Sequence, residues 1–314
     1  MGRRFSAAEK HVASLWNRGG LTWGELLRAL WRGILKNDLI DRAYELAFNF
    51  LLAVFPLLLL IVACLNIFAS EGTAMRHNLY HYVVVVLPPD ASALIIDTLH
   101  QVTTNPHSSD TGKLAFGILF WLYAGSAGMT QLMSTLNAAY EVPEERSWIR
   151  VHLISIALTT AMTVLIIVAL SLILFGGDVV TRVSHQLFLP AFVFTAIKVV
   201  GWILALCFVI FAFANIYYFA PDVQQHPWYW ITPGSGVGVI LWALASIGLR
   251  FYFQYFNTYS STYGSLGAVI VLMLWFYVAG LAMLVGGQIN ATVEHAAAQH
   301  GNPLAKMPGQ KRVT

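Results

Sequence analysis

The sequence predicts an all-α polytopic membrane protein, and three observations support this fold class. Of the 314 residues, 58% are hydrophobic and only 11% are charged, whereas soluble domains carry roughly 25% charged residues. The mean hydropathy is +0.66. Several apolar stretches are long enough to cross a bilayer core of about 30 Å, which takes about 20 helical residues.

Six transmembrane helices are predicted, at about 43–69, 114–139, 151–175, 191–219, 231–255 and 266–290. They lie in a transmembrane domain, 43–290, between an N-terminal segment, 1–42, and a tail, 291–314. The loop region 70–113 is amphipathic and is interrupted at Leu87-Pro88-Pro89-Asp90, which predicts two short helices on the outward side. The final stretch, HGNPLAKMPGQKRVT, is typical of a partly disordered tail.

The N-terminal segment contains an amphipathic stretch, TWGELLRALWRGILKNDL at 22–39. Apolar side chains recur there at helical spacing, and Arg28, Arg32 and Lys36 lie on the other side. The stretch is too charged to span a membrane. A basic amphipathic helix with tryptophans is predicted to lie in the membrane interface, on the anionic cytoplasmic leaflet.

The distribution of Lys and Arg predicts the orientation. Of the 18 such residues, eight precede residue 43, two lie between the second and third spans, and three lie in the tail. The alternate loops hold only Arg76, Lys113 and Arg182. Because positive charge accumulates in cytoplasmic loops, both termini are expected in the cytoplasm.

The first span begins with polar residues along one line of the helix. Asp41, Glu45, Asn49 and Pro56 share a narrow face in DRAYELAFNFLLAVFP. Ionisable groups at membrane depth are costly and are expected to face other helices or water, which predicts a substrate or proton pathway. The alternative is an ion pair of Arg42 with Glu45 at the helix end, with ordinary packing elsewhere.

Amides in the second and sixth spans extend this predicted pathway. Gln131 and Asn137 lie among small residues in the second span, and Gln288 and Asn290 end the sixth. Such residues also bridge packed helices, so a packing role is the alternative.

Two cations fall within predicted spans. With the orientation above, Lys198 and Arg250 lie toward the outer leaflet, where they are candidate contacts for an anion. The alternative is that their long side chains extend to the lipid–water interface.

Glycines are concentrated in the last two spans, where they favour close helix packing or a hinge. The candidates are Gly234, Gly238, Gly264, Gly286 and Gly287.

Five stretches resemble the YihY/BrkB family of bacterial inner-membrane proteins. They are AYELAFNFLLAVFPLLLL, GILFWLYAGSAGMTQLMSTLNAAYEVPEERSW, IYYFAPD, ITPGSGVGVILW and YGSLGAVIVLMLWFYVAGLAMLVGGQIN. They occur in family order and extend over roughly residues 22–295. The family's last motif usually ends Gly-Ala-Glu, and Gln288 replaces that glutamate here. The resemblance implies six helices with both ends in the cytoplasm of a bacterial inner membrane.

The resemblance implies less about activity, because family members have been labelled virulence factors, transporters (including of lipid precursors) and ribonuclease BN. Metal-dependent RNA hydrolysis needs clustered His and carboxylate ligands, and the sequence has no such run. The chain is therefore expected to be a transporter or flippase for an amphiphilic or anionic solute or lipid, without enzyme activity, cofactor, metal or nucleic-acid partner. An envelope scaffold or accessory subunit is the alternative. The substrate, ion coupling, partner proteins and homo-oligomerisation are left open by the sequence.

Overall fold

The computed structural model describes residues 13–68, 92–93, 96–97, 110–165, 168, 191–224, 232–255 and 265–312. For part of these, including 55–68 and 110–118, it describes the backbone alone. The described residues are predominantly helical and contain no strand, which confirms the predicted all-α class. The loop region predicted at 70–113 lies largely outside the described residues.

The main helices follow one another along the chain. They are α1 Trp23–Lys36, α2 Leu39–Phe68, α3 Asp110–Ala139, α4 Trp148–Leu165, α5 Ala191–Phe219, α6 Pro233–Tyr255 and α7 Ser265–Gln299. Among the described residues, four stretches are long and apolar enough to cross a membrane: Trp148–Leu165, Val199–Phe219, Pro233–Tyr252 and Val269–Gln299. α2 and α3, of 30 residues each, lie where the first two spans are predicted. The membrane class is confirmed, and six spans remains a prediction.

α1 begins where its sequence supplies a capping box. The Thr22 hydroxyl accepts a hydrogen bond from the backbone N–H of Glu25, and the Glu25 carboxylate accepts one from the Thr22 N–H at 2.8 Å. Two backbone donors that a helix start would leave unsatisfied are thereby satisfied. After Lys36 the chain turns through Asp38, which has a φ of 50°, and α2 begins at Leu39.

α7 packs against most of the other helices. It contacts α1, α2, α3, α6 and a 3-10 turn at Arg18–Gly20. It runs antiparallel to α2: Asn37 hydrogen-bonds to Gln288, while further along α2 the ring of Phe50 meets that of Phe276 at 5.8 Å. Antiparallel packing is the arrangement expected for a first and a last predicted span that cross the membrane in opposite directions.

α7 is longer than a membrane crossing needs. Its 35 residues extend about 52 Å at 1.5 Å per residue, against a hydrocarbon core of about 30 Å. The part after Gln288 passes the start of α2 and is covered by Leu26 of α1, which clusters with Ile289 and Val293. We call this end of the bundle the end cap; it comprises residues 13–38, 140–147, 220–224 and 289–312.

The tail, whose composition predicts partial disorder, makes specific contacts with the end cap. After α7, residues 300–312 fold back over the end cap, with Lys306 at 1% exposure. The Gly309 N–H donates to the Tyr140 carbonyl at 3.2 Å, and the Gln224 N–H donates to the Lys311 carbonyl at 2.7 Å. These contacts are made with residues distant in the chain, which composition alone does not predict.

Candidate functional site

The acidic edge of α2 lies at the surface of the described bundle. Asp41 and Glu45 are exposed, in the first two turns of α2. The Glu45 carboxylate accepts a hydrogen bond from Nε2 of Gln131 on α3. Asn49, one turn further, is half-buried where α2 approaches Gly128 of α3. A polar contact therefore joins α2 to α3 at an exposed position.

Both acids are expected to face other helices or water, and their exposure leaves them accessible from outside the described bundle. Asp41 and Glu45 share their face of α2 with exposed apolar residues. Glu45 hydrogen-bonds to Gln131 of α3, and Asp41 lies close enough to Tyr277 of α7 to interact with it electrostatically. The buried face carries Ala43, Leu46 and Ala47 instead. Apolar residues lie on both sides of Asp41 and Glu45 around the α2 helix. The sequence pattern therefore does not reveal which of these two apolar sides packs against other helices.

The alternative local ion pair is also replaced by other contacts. Arg42 donates Nε to the carbonyl of Asn37 at 3.0 Å, while Glu45 bonds to Gln131. The backbone of α2 remains helical at Pro56. The structure describes only the backbone at this residue.

Aromatic rings adjoin the acidic edge. Tyr44 of α2 stacks on Tyr277 of α7, with ring centroids 4.3 Å apart and an interplanar angle of 15°. Tyr44 itself is exposed. The acidic edge is thus flanked by α3 through Gln131 and by α7 through this stack.

The other predicted amides have all their polar groups engaged in helix contacts. Asn137 is buried at the end of α3; its Nδ2 donates to Glu144 at 2.8 Å, and its Oδ1 accepts from the Asp222 backbone N–H at 2.6 Å. It joins α3 to the segment after α5. A side chain bonded at both ends in this way holds the bundle together.

Gln288 and Asn290 fasten α7 to its neighbours. Gln288 accepts from Nδ2 of Asn37 at 2.9 Å and donates to Thr292 at 3.3 Å. Asn290 accepts from the Gly234 N–H at 2.8 Å and donates to Thr232 at 3.0 Å, so it caps the start of α6 from another helix. These contacts include neither Asp41 nor Glu45.

The predicted glycines that the structure describes in the last two helices are sites of close approach: Gly234, Gly238, Gly286 and Gly287. A Cβ at Gly234 would lie 2.0 Å from the Gly286 carbonyl oxygen, and one at Gly286 would lie 2.4 Å from the Tyr217 hydroxyl. A Cβ at Gly287 would lie 2.2 Å from Leu136. A Cβ at Gly238 would lie 3.0 Å from the Tyr217 hydroxyl. A side chain at Gly234 or Gly286 would therefore require a shift of the backbone or of the Tyr217 ring, and one at Gly287 would require a shift of the Leu136 side chain.

The remaining predicted residues are not brought into a site by the described contacts. Arg250 is exposed near the end of α6. The side chain of Lys198 and all of Gly264 lie outside the description. Within the described residues, no group of three or more His, Cys, Asp or Glu could hold a metal ion.

The end cap contains an ionic network that the sequence does not reveal. Arg146 pairs with Glu144 at 2.6 Å and with Asp222 at 3.7 Å, and Lys311 pairs with Asp222 at 2.7 Å and with Glu145 at 3.0 Å. Burial opposes the charge on Glu144, but hydrogen bonds from Arg146 and Asn137 outweigh it and hold the pKa of Glu144 below its usual range. Three distant chain segments meet here, and no short motif marks such a meeting.

A second ionic contact in the end cap is fully buried. The Lys306 ammonium lies against the Glu294 carboxylate, with side chains 2% and 5% exposed. Next to it, His295 meets the ring of Tyr140 edge-on, at a centroid distance of 6.0 Å. A charge run in a tail is usually solvated, so the sequence offers no signal for this pair.

Comparison with known proteins places this geometry in a family. The profile of the family described as Virulence factor BrkB matches residues 30–309. The ribonuclease-like protein YfkH of Bacillus subtilis is 34% identical over 251 residues, covering 80% of this chain and 88% of that protein. A UPF0761 membrane protein of Vibrio atlanticus is 26% identical, covering 79% and 75%; one of Vibrio campbellii is 25% identical, covering 84% and 82%. No solved structure matches. The chain belongs to the BrkB family of membrane proteins.

Proposed function

We propose that this chain is a transporter or flippase for an amphiphilic or anionic solute or a lipid, in the inner membrane of a bacterium, with both termini in the cytoplasm. The observation that carries the proposal is the exposed carboxylate of Glu45, hydrogen-bonded across the α2–α3 contact to Gln131. Ionisable residues on membrane helices commonly mark substrate or proton pathways.

The depth of this acid suits a headgroup-level opening. Glu45 lies six residues after the start of α2, which corresponds to about 9 Å of helix. A 30-residue helix exceeds the hydrocarbon core by several residues, so its first turns reach the lipid headgroups. A polar group of an amphiphile could meet Asp41 and Glu45 there without leaving the bilayer.

Gln131 equips Glu45 to carry a proton. A carboxylate accepts from the amide NH₂, and a protonated carboxyl donates to the amide oxygen after the amide rotates. The contact therefore tolerates both protonation states. In this proposal Glu45 exchanges protons with the cytoplasm, and Lys198 and Arg250 remain candidate anion contacts toward the outer side.

The test is lipid movement in vesicles containing the purified protein. Fluorescent phosphatidylglycerol and phosphatidylcholine are followed by dithionite bleaching across a range of pH. We expect the wild type to move lipid with a pH dependence that Glu45→Gln removes. Glu145→Gln, which changes an exposed acid of the end cap, is the matched control and should retain the dependence.

Two outcomes would contradict the proposal at different levels. A wild-type protein that moves neither lipid would remove the flippase, and transport of soluble anions would then have to be shown in its place. An unchanged pH profile in Glu45→Gln would remove the proton role alone.

The end cap favours an envelope scaffold as a second candidate. The tail is held by the buried contact of Lys306 with Glu294 and by the pairing of Lys311 with Asp222. The end cap therefore offers a fixed surface on which a protein partner could dock. A stoichiometric partner, recovered by crosslinking together with an absence of transport, would favour this candidate.

We propose no enzymatic role. The name of the Bacillus subtilis relative raises RNA hydrolysis as an activity to test. RNA is incubated with the purified chain and divalent metal ions; cleavage that co-elutes with the protein and disappears in a Glu45→Gln, Glu144→Gln or His295→Gln variant would overturn this part of the proposal.

A further inference from the structure

α1 carries an apolar stripe that the rest of the described chain leaves uncovered. Trp23, Leu27, Trp31 and Leu35 are 68%, 62%, 59% and 54% exposed. Steps of four residues advance a helix by about 40°, so the four side chains cover an arc of about 120°. Large apolar side chains aligned in this way mark an interaction surface.

α1 is held to the bundle by a different face. Leu26 is buried against Ile289 and Val293 of α7. Gly33 lies against Gln288, so closely that a Cβ would fall 2.5 Å from its Nε2. Because these contacts fix the rotation of α1 about its axis, the apolar stripe is presented in one direction before anything binds to it.

A second exposed apolar surface lies on α2, beyond the turn that separates it from α1. After the turn at Asp38 the spacing of four resumes in exposed residues of α2, namely Ile40, Tyr44, Phe48 and Leu52. α2 lies where the first membrane span is predicted, so this surface is expected to face acyl chains. At 14 residues, or about 21 Å, α1 is too short to span the bilayer core and suits its surface.

Cations lie beside the apolar stripe. Arg28 and Arg32 are exposed, and each donates Nε to a carbonyl of its own helix, Gly24 at 3.1 Å and Arg28 at 3.3 Å respectively. The guanidinium of Arg18 lies 4.8 Å from the ring centroid of Trp23. A guanidinium retains further N–H donors after one is used, and these match a phosphate group.

We propose that α1 is docked in the headgroup layer of the membrane that this chain crosses and binds anionic phospholipid there. Trp23, Leu27, Trp31 and Leu35 insert among the upper acyl chains, and Arg28 and Arg32 contact the phosphates. The occupant is a lipid surface because α1 is joined by a short turn to the helix that forms the first predicted span and because the adjoining charge is positive.

The test uses the full chain, with its two native cysteines replaced by Cys64→Ala and Cys207→Ala. A single new cysteine then carries a fluorescent bimane reporter. It is placed either on the stripe, as Leu27→Cys, or beside the stripe, as Arg32→Cys. The protein is reconstituted in phosphatidylcholine vesicles whose lipids carry bromine on the upper acyl chain. We expect brominated lipid to quench the reporter at 27 and aqueous acrylamide to quench the reporter at 32. Equal acrylamide quenching at both would overturn the docking, and protection of 27 from both quenchers would assign the stripe to a protein partner or second copy.

The anionic preference is tested with three parts phosphatidylcholine to one part phosphatidylglycerol. In one sample the bromine is on phosphatidylcholine, and in the other the same total amount is on phosphatidylglycerol. Bromine on phosphatidylglycerol should quench the reporter at residue 27 about twofold more, because this anionic lipid is enriched around α1. The variant Arg28→Gln/Arg32→Gln should abolish this gain, whereas Arg312→Gln in the tail should keep it. A gain that survives in the double variant would remove the arginines from the proposal.

Discussion

The crossing of α6 with α7 and the edge of α2 beside α3 both place polar side chains between apolar helices. At the first, Asn290 uses its oxygen on Gly234 and its nitrogen on Thr232, and the glycines leave no room for a methyl group. At the second, Glu45 makes one described contact to another helix, with Gln131, and stays exposed. A buried polar group whose donors and acceptors are all hydrogen-bonded has a structural role. An exposed polar group that keeps free hydrogen-bonding capacity is available to a ligand or a proton.

The buried ion pair of the end cap should give the largest loss of stability. Lys306→Met leaves the buried Glu294 carboxylate without its cation, which costs about 3–5 kcal/mol. Thermal unfolding in detergent measures the loss. Lys36→Met is the control, since Lys36 pairs with Glu141 at 2.6 Å while 62% exposed, and such pairs contribute under about 1 kcal/mol. Equal losses of stability in the two variants would show that the contact of Lys306 with Glu294 is as solvated as the exposed pair.

The glycine crossing should give the next largest effect. Gly234→Ala forces a methyl group into the Gly286 carbonyl, and overpacking of this kind costs about 1–3 kcal/mol. Gly236→Ala is a matched control two residues away, where a Cβ meets nothing within 4 Å. Because alanine favours helix over glycine by about 1 kcal/mol, the control should be as stable as the wild type or slightly more so. Similar melting temperatures for both variants would contradict a closed crossing.

Acidification should weaken the ionic network of the end cap. The pKa of Glu144 is lower in the folded chain than its ordinary value, so the unfolded chain binds more protons as the pH falls toward that ordinary value. The contribution of Glu144 is present above about pH 4.5 and is lost below it. We expect the melting temperature to fall between pH 6 and pH 3.5, and Glu144→Gln to flatten part of this fall. Since Glu144 is partly solvated, the change should be about 1 kcal/mol or less.

Glu45→Gln should have the smallest effect on stability. The side chain is exposed, and exposed substitutions usually change stability by about 0.5 kcal/mol or less. Its unfolding curve should therefore overlay that of the wild type while its transport loses pH dependence. A large destabilisation would move Glu45 into the structural class with Asn290.

Composition and hydropathy were sufficient for the all-α membrane class, and helical spacing placed α1, because both depend on local sequence. The closed glycine contacts at Gly234 and Gly286 were also within reach, since small residues mark close helix approach. The facing of Asp41 and Glu45 was not, because an apolar helix gives no signal for which of its apolar sides meets protein. Lys306 escaped prediction because its partner, Glu294, becomes a partner only after the tail folds back.

The reach of α7 into the end cap has a consequence for biogenesis. Asn37 bonds to Gln288 across 251 residues, and Ser14 bonds to Asn302 across 288 at 2.6 Å. Segments near residue 14 and residue 37 leave the ribosome long before these partners exist. The first helices must therefore wait in the bilayer as a half-assembled intermediate, and a quality-control protease has its best opportunity before α7 is inserted.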